Sequence, residues 1–305
     1  MPSGAHRCWA VALAQSTIMP PARPAPPTRR RRDKRRPSGF APSTAPRPID
    51  GQACVTISDV EIIHATGIDG ARQAHGLVVV IDVLRSFTVS AYALDGGARE
   101  CRLVPTIPEA LALAAGIPGS VICAEVNALP VEGIPISNSP TQIREVDMKD
   151  RILVQRSTSG VQVVAAIREA DIFAASLVVA RATVQACLLR KPATLTLIAS
   201  ADHPEDHACA QYMEGLIRGN EHDHEPDHEP DHEPDIDQLL EPLRASDRYR
   251  RVMTGAWPGF PPTDLDLSLQ PNLFNFAMPV TRHEGYLQLT KLNPSSPTTN
   301  QHRSN

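Results

Sequence analysis

From Val55 onward the chain alternates short apolar runs with stretches whose apolar residues recur at helical spacing, and this alternation predicts an α/β fold. The densest run is Leu77-Val-Val-Val-Ile-Asp-Val83, aliphatic at every position but Asp82. A β-branched run of this kind predicts a strand buried on both faces, as in a parallel or mixed sheet covered by helices. Before and after it the pattern predicts strands over Val55–His64, Cys101–Val104 and Ser120–Ala124, and helices over Arg85–Leu94 and Pro108–Ala115, the former closed by Gly96-Gly97. A long loop, Glu125–Ser137, leads to a helix start at Asn138-Ser139-Pro140. Strands then follow at Arg151–Gln155, Asp171–Ala175 and Thr194–Ser200, separated by helices at Thr158–Glu169 and Val178–Leu189. Pro204 opens a further helix, Ile236–Arg244 reads as a short one, and Phe274–Leu289 closes the fold with a strand pair.

Setting Arg156-Ser157 on Arg85-Ser86 superposes the strands and helices that follow at an offset of 71 residues, 156 against 85. The expected architecture is therefore a mixed sheet covered by helices over residues 51–292, with an internal duplication of a β-α-β-α unit. Outside it, residues 1–50 hold ten of the 29 prolines and the basic cluster Arg29–Arg36, a composition that reads as a disordered tail. Residues 220–235 carry Asp-His-Glu-Pro three times in tandem and read as a low-complexity insertion, and residues 293–305 as a frayed tail.

Composition narrows the function. The six cysteines have no paired spacing, and four lie in apolar runs, which predicts reduced thiols in a cytoplasmic protein. No apolar segment approaches the roughly 20 residues that span a bilayer, and a net charge of −4 argues against a nucleic-acid partner. A homo-oligomer is compatible with the sequence. Aromatic residues are 4 % of the chain, so the core must be aliphatic.

Four places carry more polar chemistry than packing needs. Asp82 ends the central strand, and Arg85 and Ser86 follow at a helix start, so one turn offers a carboxylate for a cation and a helix end for an anion. Packing alone would have Asp82 cap the helix and pair with Arg85. Glu125 follows the strand ending at Ala124, which predicts that it shares a sheet edge with Asp82. Arg156-Ser157-Thr158-Ser159-Gly160 joins a strand to a helix, where backbone N–H groups and hydroxyls would cradle a phosphate or simply cap the helix. Glu205 and Asp206 open the Pro204 helix four and three residues before Cys209 of its apolar stripe, which turns both acids toward the buried side. They complement the helix dipole, or serve as hard oxygen ligands for Mg²⁺. Carboxylates beside anion cradles suit phosphoryl transfer to water, with Asp82, Glu125, Glu205 and Asp206 gathered on one Mg²⁺.

Ile81-Asp-Val-Leu-Arg85, Glu125 with Glu132-Gly133, Asn138-Ser-Pro140, the Ser/Thr/Gly turn at 157–160 and Glu205-Asp206 with Cys209-Ala210 together resemble the ComB family, the 2-phosphosulfolactate phosphatases. The resemblance covers about residues 55–219 and, more faintly, 264–291. It implies an α/β fold of its own type and a Mg²⁺-dependent phosphatase of a small phosphorylated substrate, releasing sulfolactate and phosphate, a step that serves coenzyme M synthesis in archaea. It implies catalytic roles for Asp82, Arg85 and Glu125. Substrate binding would fall to Arg85, Ser86, Asn138, Ser139, Arg156, Ser157, Thr158 and Gly160. Where the family often reads Gly-Gly-Glu-Arg-x-Gly this chain has Cys123-Ala-Glu-Val-Asn-Ala128, so Val126 stands at the family's arginine. That departure favours a competing reading, a scaffold that binds a small phosphorylated or sulfonated acid without turning it over.

Overall fold

Each residue of Leu77–Ile81 is buried. Val78 and Val80 pack into one apolar cluster, while Leu77, Val79 and Ile81 pack into another. Alternate side chains of a strand point to opposite faces, so a run without polar alternation places this strand between two cores. The structure, a computed structural model, describes residues 60–219 and 233–294. The expectations for residues 1–50, for nearly all of the Asp-His-Glu-Pro repeat and for most of the C-terminal tail lie outside the described residues.

The first part of the chain runs β1 (Glu61–Thr66), α1 (Gly67–Gln73), β2 (Leu77–Ile81), α2 (Ser86–Asp95), β3 (Glu100–Leu103), α3 (Ile107–Ala115), β4 (Val121–Val126), β5 (Leu129–Pro130) and α4 (Pro140–Arg144). The second runs β6 (Ile152–Arg156), α5 (Gly160–Ala166), β7 (Asp171–Ala175), α6 (Ala180–Leu188), β8 (Thr194–Ala199) and α7 (Pro204–Gly219). It continues through α8 (Ile236–Leu239), α9 (Glu241–Arg244), α10 (Asp247–Met253) and α11 (Thr263–Ser268) to the hairpin β9 (Met278–His283) and β10 (Tyr286–Leu289).

The strands form one mixed sheet in the order β1-β8-β2-β7-β9-β10-β3-β6-β4-β5. β1, β8, β2 and β7 run parallel, as do β3, β6 and β4. The antiparallel hairpin β9–β10 is inserted between the two groups, which therefore run in opposite senses. The runs β2-α2-β3-α3-β4 and β6-α5-β7-α6-β8 occupy corresponding places from the two ends of this order. That is an equivalence of order, which does not by itself establish a duplication.

Several boundaries shift for local reasons. The helix expected over Thr158–Glu169 is only Gly160–Ala166: at its start the N–H groups of Thr158 and Gly160 bond to Glu125 and Asp82, and at its end Ile167 turns to extended backbone. The helix expected over Ile236–Arg244 divides at Leu240, where Pro242 has no N–H to continue the ladder. The short helices α1, α10 and α11 were not expected, and the last two supply residues to the site described next.

Candidate active site

The site grows from the end of β2. Asp82 is 5 % exposed, and its two oxygens face different partners. Oδ1 accepts from the backbone N–H of Ser86 at 2.9 Å, which caps α2, and Oδ2 accepts from that of Gly160 at 2.9 Å, at the start of α5. A Cβ at Gly160 would lie 2.6 Å from Asp82 Oδ2 and 3.1 Å from Phe87 Cζ. Glycine is required there for close approach. Gly160→Ala, which propensity alone would favour in a helix, should instead destabilise the protein by about 1–3 kcal/mol, as read by denaturant unfolding. An unchanged midpoint would show that Asp82 does not depend on this contact.

Glu125, in β4, is held in the same manner. Its carboxylate accepts from the N–H of Thr158, from the N–H of Ala128 and, at 3.1 Å, from Thr158 Oγ1. The turn between β6 and α5 therefore links both acids, through Thr158 to Glu125 and through Gly160 to Asp82. This corrects two expectations. The acids do not share a sheet edge, since β2 and β4 run in opposite senses, and it is the interlocked turn that brings them together. Nor do the N–H groups of Thr158 and Gly160 form an open phosphate cradle, because protein carboxylates already occupy them.

Asp82 and Glu125 line a cavity of about 220 Å³ with Leu84, Arg85, Asn127, Ala128, Asn138, Ser157, Thr158, Ser159, Ser200, His203, Arg248 and Trp257. The expected residues divide between this wall and its supports. Asn138 reaches the wall and accepts from Gln155 Nε2 at 2.9 Å through Oδ1. Ser157 also reaches it, while its Oγ accepts from the N–H of Val161. Ser86 and Ser139 are fully buried away from it. The Ser86 carbonyl accepts from Gln155, and Ser139 Oγ donates to Asp264 at 2.7 Å. Arg156 spends its guanidinium on the carbonyls of Glu125 and Pro105 and on Thr158 Oγ1. These three belong to the frame rather than to the substrate, because their polar atoms bond to neighbouring elements, β6 and α11 for the two serines and β4 with the flanking turns for Arg156.

Arg85 lines the cavity but is 3 % exposed. Its Nη1 donates to the Gly259 carbonyl at 2.6 Å and to Asp264 Oδ2 at 2.8 Å, and its guanidinium stacks 3.9 Å from the Phe260 ring centroid. The anticipated pairing of Arg85 with Asp82 is replaced by one with Asp264, from the unexpected helix α11. Burial lowers the Arg85 pKa, and the charge of Asp264 raises it in return.

Glu205 and Asp206 lie behind the wall. Asp206 accepts from the N–H of Val83 at 2.8 Å and from Ser200 Oγ at 2.9 Å. Glu205 is wholly buried, with Oε1 3.1 Å from Arg248 Nε, an ion pair without the alignment of a hydrogen bond. Burial raises the pKa of Asp82, Glu205 and Asp206, and a neighbouring charge adds to each: Glu125 for Asp82, Asp82 for Glu205, and Asp82 with Glu205 for Asp206. Among the described residues no three His, Cys, Asp or Glu side chains are arranged to hold a metal ion. The four acids thus do not form one metal cage, because Glu205 and Asp206 are not on the cavity wall, Glu205 facing Arg248 and Asp206 the N–H of Val83 and Ser200 Oγ. The pair on the cavity wall, Asp82 and Glu125, still suits Mg²⁺, which commonly takes one or two carboxylates and completes its shell with water and phosphate.

His203 and Arg248 close the cavity on the α10 side. Burial, followed by the adjacent Arg248 charge, lowers the His203 pKa to about 4. With its folded pKa below the unfolded value, His203 stabilises the protein above about pH 6.5, and this contribution is lost as pH falls through about 4. An NMR titration of the ring should show its midpoint near 4, and a midpoint near 6.5 would show that the ring is solvated. His203, Arg248, Asp264 and Gln155 carry no sequence signal of their own. His203 falls within a stretch the sequence marks for its acids, Gln155 next to the Arg156–Gly160 turn, and the roles of all four depend on long-range packing.

The four cysteines among the described residues are free and buried, and burial pushes the thiols of Cys123 and Cys187 up to about 12. No helix among the described residues is long and apolar enough to cross a membrane.

Comparison with known proteins places this geometry. A sequence profile of the 2-phosphosulpholactate phosphatase family matches residues 64–277. A probable 2-phosphosulfolactate phosphatase of Bacillus subtilis is 36 % identical over 147 residues, 46 % of this chain and 64 % of that protein. One of Clostridium novyi is 30 % identical over 165 residues, 52 % of this chain and 70 % of its own. One of Thermotoga petrophila is 38 % identical over 107 residues, 35 % of this chain and 46 % of its own. The chain thus spans about half to two thirds of the length of these relatives.

Proposed function

The chain belongs to the 2-phosphosulpholactate phosphatase family, and from that premise we propose that it hydrolyses the phosphate monoester of a small sulfonated or carboxylated hydroxy acid, 2-phosphosulfolactate first among them. The observation that supports this most is the pairing of Asp82 and Glu125 on one cavity wall, each fixed by backbone N–H groups of the interlocked turn. Water adds to phosphorus, the ester P–O bond breaks, and the products are sulfolactate and inorganic phosphate.

In this reading Asp82 and Glu125 would hold Mg²⁺, which would supply positive charge against the phosphoryl oxygens and make water a better nucleophile. Each carboxylate oxygen can accept more than one bond, so the backbone contacts do not preclude this. The protein's own part is orientation. Thr158 fixes Glu125 through two contacts, Gly160 fixes Asp82, and Ser157 to Ser159 with Asn138 line the space where the phosphoryl group would lie.

Phosphate release should be measured from 2-phosphosulfolactate, 2-phospholactate and 2-phosphoglycerate, with Mg²⁺ and with excess chelator. Release only with Mg²⁺, fastest from the sulfonated ester, is expected. No release from any ester would refute the proposal, and retained substrate binding in that case would favour the non-catalytic scaffold.

A further inference from the structure

Two guanidinium groups line the cavity, those of Arg85 and Arg248. Arg85 is locked against Asp264 and the Gly259 carbonyl. Arg248 differs in kind, with a side chain 17 % exposed. Its Nη2 donates to the Leu84 carbonyl at 3.0 Å, and its Nη1 lies 3.3 Å from His203 Nε2. A guanidinium has five N–H donors. With Nε facing Glu205, one N–H on each terminal nitrogen remains for a ligand. Trp257 flanks it, with the guanidinium carbon 5.5 Å from the ring centroid.

The N–H groups of Thr158 and Gly160 are committed to Glu125 and Asp82, so they offer no open anion site beside these two arginines. Those two carboxylates would repel any substrate anion not bridged to them by a cation. An anionic group that takes no part in phosphoryl transfer must therefore find its own positive charge. Glu205 points to the same residue from behind. It is wholly buried, neither of its oxygens has a hydrogen-bond partner among the described residues, and Arg248 is the cation it faces. A carboxylate buried in this way is costly, and what it does here is to fix the guanidinium at the cavity wall.

We propose that Arg248 receives the substrate's second, non-transferred anionic group, a sulfonate or carboxylate, and that Glu205 is the positioning residue that aims it. The fork of a guanidinium matches the paired oxygens of either group. The identity of that group as non-transferred rests on the phosphatase reading above; the anion site itself does not.

The test is a calorimetric titration of the full chain with sulfoacetate, which carries a sulfonate and a carboxylate but no phosphate, and separately with inorganic phosphate. The variant is the double substitution Arg248→Met with Glu205→Gln, so that no lone buried charge is left to unfold the protein. Sulfoacetate binding should weaken at least about tenfold, while phosphate binding in the presence of Mg²⁺ stays within about threefold. Arg248→Lys, which keeps the charge but not the fork, should fall between. Glu205→Gln alone should weaken sulfoacetate binding several-fold and leave phosphate binding unchanged, a split that a purely structural role would not produce. Equal losses for the two ligands would assign Arg248 to the phosphoryl group and overturn the proposal. Undiminished sulfoacetate binding in the double variant, or none to the parent protein, would also overturn it. No turnover is measured, so a protein that releases no phosphate yet binds sulfoacetate through Arg248 would sustain this inference and refute the phosphatase reading.

Discussion

Asp82→Asn is expected to lower Mg²⁺-dependent phosphate release by about a hundredfold to a thousandfold while leaving the protein folded. Asparagine keeps the shape of the side chain but removes the charge that would hold the metal, and loss of one such electrostatic element commonly costs about 10²–10³ in rate. Folding responds to two opposing effects. Burial and the neighbouring Glu125 make the charged Asp82 costly, so neutralising it relieves the acid cluster. Against this, Asp82 accepts from two backbone donors, Ser86 and Gly160, with different oxygens. Asparagine has one oxygen, so one of those N–H groups loses its acceptor at a cost of about 1–3 kcal/mol. The second effect equals or exceeds the first, and the variant should be as stable as the parent or slightly less so. Phosphate release within tenfold of the parent would remove Asp82 from the reaction.

The double commitment of Asp82 also shows what the sequence can and cannot reveal. A carboxylate at the end of a wholly aliphatic run is visible as an anomaly, and so is the Ser/Thr/Gly turn after β6, because both break a strong local pattern. The α/β alternation and most strand boundaries are legible for the same reason. What local pattern cannot show is that one anomaly satisfies the other. Gly160 reads as part of an anion cradle, and only the structure reveals that the anion is Asp82. The opposed directions of the two parallel groups were equally hidden, since they follow from the insertion of β9–β10, the last hairpin among the described residues, between β7 and β3. Helices α10 and α11 are too short to show periodicity, so Arg248 and Asp264 could not be anticipated. Glu205 was legible as a buried acid, but its partner was not.

Asp264 leads to the largest expected effect on stability. Arg85→Met should destabilise the protein by about 3–5 kcal/mol, the usual cost of removing one member of a buried ion pair. The Arg85 and Asp264 side chains are 2 % and 0 % exposed and 2.8 Å apart. Asp264 also accepts from Ser139 Oγ at 2.7 Å and from the N–H of Thr141 at 3.0 Å. One carboxylate thus ties α2, α4 and α11 together, and without Arg85 its charge is left buried. Methionine retains much of the packing against Phe260, so the loss reports the charge rather than a cavity. Asp264→Asn should be nearly as damaging, because Arg85 would then be the stranded charge. In the double variant the two costs should not add, and a coupling of at least about 1 kcal/mol is expected for groups in direct contact. Urea unfolding of the parent, both single variants and the double variant measures each corner of this cycle. If Arg85 acted mainly on the substrate, as its place in the sequence suggests, Arg85→Met would leave the unfolding midpoint nearly unchanged and raise KM alone. A destabilisation below about 1 kcal/mol would therefore return Arg85 to the substrate and leave Asp264 without its structural role.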